Sequence, residues 1–369
     1  MRVVVCTGIA GSQRRDCLRE VAAYARQFNK ELEIIDVFEV LREVSQGPID
    51  EATVLNLPPN ELLRLTNTTY KEIASRLKRL RTERQEDEDV AVAVVARATF
   101  RVPGQILKEA SRRTVRTLNP DLYISIVHNL PDLKRNLDND SSGRFQNITL
   151  LDILLWRKEE TEETRKWGNP HYIVARNEPP STIFDLIFRP EAKKFYASFP
   201  ISHSHQRDVL RAKKLIAKLR QRNYTLFDPL AIEDMDYIKE LQSQRRERGR
   251  GALANYSQED INALLREAGA QTVLRDYALI DQSDGVIVRY AGQRYQRYVE
   301  EKGQVIPDIH VPLSAGVVCE MVHGHYKGKR VYAVWLVKDT LPSPFFEYHS
   351  LRVFQSEKEL LTYLARSHW

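Results

Sequence analysis

Long apolar runs are missing from this chain of 369 residues. No stretch of about 18 residues is apolar enough to span a bilayer, so a transmembrane role is set aside. Cysteine is scarce: Cys6, Cys17 and Cys319 are its only thiols. They share no metal-ligand spacing and make no disulfide framework, so a reducing cytoplasm is the expected setting. The opening "MRVVVCTGIAGSQRRD" lacks the basic head and long apolar centre of a signal peptide; it reads as a strand and a glycine-containing turn. A dominant charge is missing too. Lys and Arg number 56 against 50 Asp and Glu, a net charge of +6 with a pI near 9.0. This mild excess favours anionic ligands, phosphates included, without demanding a nucleic-acid partner.

What is present is strand–helix alternation, twice over. In the first half, strands are predicted at "RVVVCTG", "ELEIIDVFEVL", "VAVAVVARATF", "PDLYISIVHN" and "NPHYIVARNEP". Between them lie helices at "SQRRDCLREVAAYARQF", at 59–85, at "TLLDILLWRKEETEETRKW" with Thr149 as N-cap, and at "STIFDLIF". A polar loop is expected at 133–147. The segment "RPEAKK" at 189–194 marks a domain boundary. A second alternation follows, with strands at "FYASFPIS", "YTLFDP", "DGVIVRY", "KRVYAVWLV" and "LRVFQS", helices between them, and long loops at 243–257 and 291–311. The fold class expected is α/β, with two doubly wound parallel-sheet (Rossmann-like) domains at 1–190 and 193–369.

The first turn, Gly8-Ile9-Ala10-Gly11-Ser12, joins a strand to a helix, where backbone N–H groups and the helix dipole attract anions. A complete phosphate loop needs glycine, then lysine, then a hydroxyl for magnesium. Counted from Gly8, those places hold Gln13, Arg14 and Arg15. The cation survives as Arg14; the metal hydroxyl is lost unless Ser12 replaces it. With "VVARATFR" and "LLWRKEETEET", the first half resembles the adenylate-kinase-like branch of P-loop NTPases. The missing residues imply that it no longer transfers phosphate. It either retains a nucleotide at Gly8, Gly11, Ser12 and Arg14 or serves as a structural and dimerisation platform.

The second half holds the sharper signal. "RDYALIDQSDGVIVRY" places Asp276 eight residues before Asp284, and "SAGVVCEM" places Ser314 six before Glu320, with Gly316 four before it. Ser314 is a good N-cap, and the N–H groups of the first turn behind it suit a phosphate or sugar hydroxyl. Glu320 has the apolar flanks Val317, Val318 and Met321. A partly desolvated carboxylate of this kind can attack an oxocarbenium-like carbon, and a second acid can protonate the leaving group. The same residues have plainer readings. Glu320 can be a surface partner of Lys327 or Lys329, Asp276 can pair with Arg275, and Asp284 can cap a strand.

These motifs, with "FYASFPIS", resemble the nucleoside 2-deoxyribosyltransferase family and its 2'-deoxynucleoside 5'-monophosphate N-glycosidase branch. The resemblance implies Glu320 as nucleophile, Tyr196 orienting it, Asp276 as the acid for the base and Asp284 as pocket support. Ser314, where free-nucleoside transferases carry aspartate, implies a 5'-monophosphate, with Gly316, Ser198, Ser202 and Arg207 around the anion. It requires no metal or other cofactor, and implies a nucleotide or nucleoside substrate and a homo-oligomer. Rival readings are a catalytically silent nucleotide sensor or scaffold in signalling or defence, and an NAD-type nucleotide hydrolase with a similar fold. His203/His205 and His323/His325 lack further ligands for a metal. "RYAGQRYQRY", with Arg289, Tyr290, Arg294, Tyr295, Arg297 and Tyr298, suits a lid or subunit contact better than single-stranded nucleic acid.

Overall fold

β1 (Arg2–Thr7, RVVVCT) is buried along nearly its whole length, as a strand flanked on both sides and covered on both faces must be. The computed structural model describes residues 1–45, 53–54, 57–84, 87–102, 105–140, 144–145, 147–201, 206–248, 253, 256–291, 295–301, 304–310, 313–338 and 340–366. These fall into two compact units, Met1–Pro190 with Leu230–Leu274, and Glu191–Pro229 with Arg275–Trp369.

In the first unit β1 leads to α1 (Arg14–Arg26), β2 (Glu31–Asp36), α2 (Val37–Val44) and α3 (Pro59–Glu83). Then come β3 (Val90–Val95), the short strands β4 (Thr99–Val102) and β5 (Gln105–Lys108), and α4 (Arg112–Arg116). β6 (Leu122–Val127), α5 (Leu130–Asp138), α6 (Leu150–Trp167), β7 (His171–Ala175) and α7 (Pro180–Phe188) complete the run. The sheet order is β2-β3-β1-β6-β7, with every pairing parallel. β4 and β5 form a separate antiparallel hairpin. One core layer joins Val3, Val5, Val92 and Val94 to Tyr70, Ile73 and Leu77 of α3. Thr149 caps α6 as predicted, in a reciprocal bond with Asp152.

The second unit holds β8 (Lys194–Ser198), α8 (Gln206–Arg220) and β9 (Thr225–Phe227). The chain then contributes α9 (Asp234–Arg248) and most of α10 (Gln258–Asp281) to the first unit. It returns for β10 (Gly285–Tyr290), β11 (Tyr295–Glu301), β12 (Gln304–His310), α11 (Ala315–Tyr326), β13 (Arg330–Trp335), α12 (Pro344–His349), β14 (Arg352–Phe354) and α13 (Glu357–Arg366). Its five-stranded sheet, β14-β13-β10-β8-β9, is again wholly parallel. The chain is therefore α/β, with two parallel sheets flanked by helices.

Several expectations need correction. "DVFEVL" continues β2 in apolar content, but Asp36 accepts a hydrogen bond from the Phe38 N–H and turns the chain into α2. Residues 130–138 of the expected loop are α5, which buries Leu130, Leu133 and Leu137. Part of 243–257 is the end of α9, and 291–311 contains the antiparallel pair β11–β12.

The segment Leu230–Leu274 also packs with the first unit rather than with the second, where a boundary at 190/193 would leave it. Ile238, Leu241, Ile261 and Leu264 share a buried cluster with Leu133, Ile153 and Trp156. A polar lock lies beside them: Arg157 on α6 pairs with Asp234 and donates to the His128 carbonyl (3.0 Å) and Gln271 Oε1 (3.1 Å). Asp234 also accepts the Leu130 N–H at 2.8 Å. Both members of the pair are almost fully buried, so removing one strands the other charge away from water. Asp234→Ala is expected to destabilise the protein by about 3–5 kcal/mol in urea unfolding. A loss below about 1 kcal/mol, the range of an exposed pair, would contradict this account of the lock.

Candidate active site

β8, with sequence KFYAS, ends at the carboxyl edge of the second sheet. Strand geometry alternates side chains between faces, so Tyr196 and Ser198 share one face and Phe195 and Ala197 the other. The pairing Val286↔Tyr196 and Val288↔Ser198 with β10 fixes this register. From β8 the chain crosses to β9 on one side, whereas β10 lies on the other. The carboxyl ends of β8 and β10 thus flank a topological switch point, where open α/β sheets form their crevices.

α11 lays one face across this edge. Gly316, Glu320 and Gly324 recur at four-residue steps and so line one side of the helix. At Gly324 an added Cβ would lie 2.9 Å from Val286 Cγ2 and 3.3 Å from Val331 Cγ2, so glycine lets the helix press against the sheet. One turn earlier, Glu320 meets β8: the Tyr196 hydroxyl donates to Oε1 at 3.0 Å and the Ser198 hydroxyl donates to Oε2. One turn earlier still, an added Cβ at Gly316 would meet only Ser314 Oγ, at 3.9 Å, so the face beside Glu320 opens outward.

Ser314 is the N-cap of α11, and its hydroxyl makes no capping bond. Its N–H donates to the Tyr290 hydroxyl at 3.1 Å. Tyr290, at the end of β10, is fixed by parallel stacking on Trp335 (5.0 Å) and an edge contact with Phe346 (5.2 Å). The first intrahelical bond behind Ser314 is Val318 N–H to the Ser314 carbonyl, which leaves the N–H groups of residues 315–317 at the open end of the helix.

Asp276 completes the cluster from α10. Arg275 donates to Asp276 Oδ1 from Nε (3.1 Å) and Nη2 (3.0 Å), and both side chains are 13% exposed, so this is not a surface pair. Burial raises the Asp276 pKa while Arg275 opposes the rise. Burial first, and the neighbouring Asp276 charge second, push Glu320 up to about 8, against the pull of the Ser198 and Tyr196 hydroxyls. Burial and the Glu320 charge also raise Tyr196, which stays a neutral donor.

Tyr196, Ser198, Asp276 and Glu320 are thus brought together, with Ser314 and Gly316 at the helix mouth. Ser198 spends its hydroxyl on Glu320 rather than on an anion. Arg275 is an addition to the site: the sequence offers its pairing with Asp276 only as the plainer reading, whereas the fold buries that pair beside Glu320. Asp284 stands apart: it accepts the Lys194 N–H at 2.8 Å where β8 begins, the opposite end of the strand from Ser198. Its plainer reading as a strand cap is the one its contacts fit. Arg207 is exposed at the start of α8, and Ser202, like His203, His205 and Arg294, lies outside the described residues. Lys329 donates to the Asp281 and Ser283 carbonyls and Lys327 approaches Asp281, so neither is the partner of Glu320. His323 bonds Asp281 and stacks on Tyr277, whereas His325 packs with Tyr348 and His349. Among the described residues no group of three or more His, Cys, Asp or Glu is placed to hold a metal ion. Arg289 is buried against Glu357, which removes it from any nucleic-acid face.

In the first unit, Gly8, Gly11 and Ser12 lie between β1 and α1. Ile9 and Ala10 are buried in the same cluster as Leu133, Leu137 and Trp156, and Asn136 donates to the Gly11 carbonyl at 2.8 Å. Ser12 is 1% exposed. Arg14 turns back toward the Ile9 carbonyl at 3.4 Å. Arg15, at the metal-hydroxyl place, pairs with Glu39. Among the described residues no helix is long and apolar enough to cross a membrane.

No family model and no curated protein matches the chain. Among solved structures, a shikimate kinase from Bacteroides thetaiotaomicron is similar at 15% identity and a TM-score of 0.33, covering 52% of this chain and 98% of its own. An uncharacterised protein from Eubacterium ventriosum is similar at 11% identity and a TM-score of 0.26, covering 51% of this chain and 97% of its own. Likenesses this distant carry no argument about function.

The raised pKa of Glu320 links the site to stability. The folded protein holds this proton more tightly than the unfolded chain, whose carboxyl titrates near 4.5. The resulting stabilisation is complete below that value and is lost as pH rises through about 8. Glu320→Gln removes the titration. Between about pH 5 and pH 8.5 the wild type is expected to lose several kcal/mol more stability than Glu320→Gln in parallel denaturation series. Parallel curves for the two proteins would show that Glu320 titrates normally.

Proposed function

We propose that the second unit cleaves the N-glycosidic bond of (deoxy)nucleoside 5'-monophosphates, with Glu320 as nucleophile. The observation that carries this reading is the pair of hydroxyls, Tyr196 and Ser198, donating to a buried carboxylate beside a second acid at the carboxyl edge of the sheet. Hydroxyl donors favour the ionised form of Glu320 and fix its orientation. Each oxygen is engaged on the strand side, and the Gly316 side stays open to a sugar.

A Glu320 oxygen bonds to C1', the C1'–N bond breaks, and its electron pair leaves on the base. Asp276 gives its proton to that base. Water then attacks C1' of the glycosyl ester, Asp276 takes the water proton, and Glu320 is released with the sugar phosphate. A second base in place of water gives the transfer variant. Ser314 Oγ and the N–H groups of residues 315–317 suit the 5'-phosphate, since a helix N-terminus favours an anion.

The test is base release, followed by chromatography, from a panel of ribo- and deoxyribonucleoside 5'-monophosphates. Glu320→Ala is expected to lower the rate at least about 1,000-fold, and Ser314→Ala to raise KM for monophosphates while leaving nucleosides unaffected. On the pH profile of kcat/KM, the acidic limb should rise towards about 8, the ionisation of Glu320. Asp276→Asn removes the neighbouring negative charge, so whatever activity remains should have its acidic limb at lower pH. Wild-type protein that releases no base from any of these nucleotides would overturn the reading.

A further inference from the structure

The first unit contains a second buried carboxylate of another kind. Glu160 lies at mid-length on α6 and is 2% exposed. Its Oε1 accepts the Gly8 N–H (3.0 Å) and the Ala98 N–H (2.8 Å), and its Oε2 accepts the Thr99 N–H (2.7 Å) and the Thr99 hydroxyl (2.6 Å). These donors sit just beyond the carboxyl ends of β1 and β3. From β1 the chain crosses to β2 on one side of the sheet, and from β3 it runs to β6 on the other. This is the switch-point crevice of the first sheet, where a parallel α/β fold presents backbone N–H groups to an anion.

We propose that Glu160 is the resident anion of this seat, so that the first unit is ligated by its own carboxylate and its Gly8–Ser12 loop does not take a nucleotide phosphate. Four donors on two oxygens mean that the Gly8, Ala98 and Thr99 N–H groups are already spent on Glu160. The carboxylate is also built into the chain, so it reoccupies the seat without the translational cost that a free phosphate bears. Its supports are buried with it. Trp156 Nε1 donates to Thr99 Oγ1 at 3.0 Å, and the Thr164 hydroxyl, which bonds the Glu160 carbonyl, meets Thr7 Oγ1 at 2.7 Å. The loop itself is covered: Ile9 and Ala10 are packed into the apolar cluster, and Asn136 holds the Gly11 carbonyl. Burial drives the Glu160 pKa up, while Thr99, the backbone donors and the nearby Arg14 oppose that rise.

Peptide-resolved hydrogen exchange on the full-length protein tests this, because it reads the seat separately from any nucleotide bound in the second unit. In the wild type, ATP with Mg2+ and inorganic phosphate should leave exchange over residues 7–13 and 96–100 unchanged. Protection there by either probe would overturn the proposal without any variant. Glu160→Ala vacates the donors: exchange in both peptides should rise at least tenfold, and formate or phosphate should return it towards the wild-type value. Unchanged exchange, or an increase that neither anion reverses, would overturn it. Should Glu160→Ala fail to fold, Glu160→Gln keeps the volume and sets an amide donor against the seat. Faster exchange over 96–100 is then expected, and wild-type exchange would refute it.

Discussion

Two carboxylates, Glu320 and Asp276, are held within range of each other's charge away from bulk water, and the second unit is arranged around what that costs. Desolvation raises the pKa of both acids, and the Asp276 charge pushes Glu320 further in the same direction. Three groups oppose this: the Tyr196 hydroxyl, the Ser198 hydroxyl and the Arg275 guanidinium. Two of them come from one strand face, so they depend on the register of β8 against β10. A slip of one residue would turn Tyr196 and Ser198 away and present Phe195 and Ala197, leaving Glu320 with no donor. Gly324 matters for the same reason from the helix side. Without that close approach to Val286 and Val331, α11 would stand off the sheet and Glu320 could not reach both hydroxyls.

Glu160 and Glu320 show how similar positions give opposite chemistry. Each projects from a helix towards the carboxyl edge of a parallel sheet. Glu160 meets backbone N–H groups that cannot turn away, and both of its oxygens are doubly occupied. Glu320 meets one hydroxyl per oxygen, one helical turn from the outward-facing Gly316. A carboxylate with every lone pair engaged is a structural ligand; one that is oriented but unsaturated is available to react. Counting donors per oxygen separates the two better than burial does, since both groups are removed from water.

Much of this was legible in the sequence, and the failures have physical causes. Both alternations follow from apolar runs such as VAVAVV and GVIVRY, which only a strand buried on both faces tolerates. Glu320, Tyr196, Asp276 and Ser314 are legible because the motifs that carry them resemble a known pattern. Ser198 reads as an anion contact because nothing in one chain's letters tells which face of β8 the helix covers; its hydroxyl bonds Glu320 instead. Asp284 reads as pocket support, yet it accepts the Lys194 N–H where β8 begins; being eight residues from Asp276 fixes its distance along the chain, not which end of the sheet it serves. The expected loop at 133–147 hid α5 because LPDLKRNLD is mostly polar, and its three leucines were too few to outweigh the charges. Glu160 was invisible for a further reason: "KEETEET" is a run of charges that reads as a solvated face, and only the fold selects one of its glutamates to turn inward.

Arg275 decides the proton count of the acid pair. Two carboxylates and one guanidinium carry a net charge of −1 when both acids are ionised and zero when they share one proton. In a desolvated site the neutral state is favoured, so the resting cluster holds a proton that the chemistry needs. What remains is where that proton sits. The Tyr196 and Ser198 hydroxyls donate to Glu320 and favour its anion, whereas Arg275 donates to Asp276 and favours that anion instead. On the proposed function, a nucleotide base with a basic nitrogen beside Asp276 breaks the contest, because only a protonated Asp276 can donate to it. In that proposed reaction, substrate binding moves the proton to Asp276 and leaves Glu320 ionised in the same step, a coupling that an isolated glutamate with an ordinary pKa would not provide.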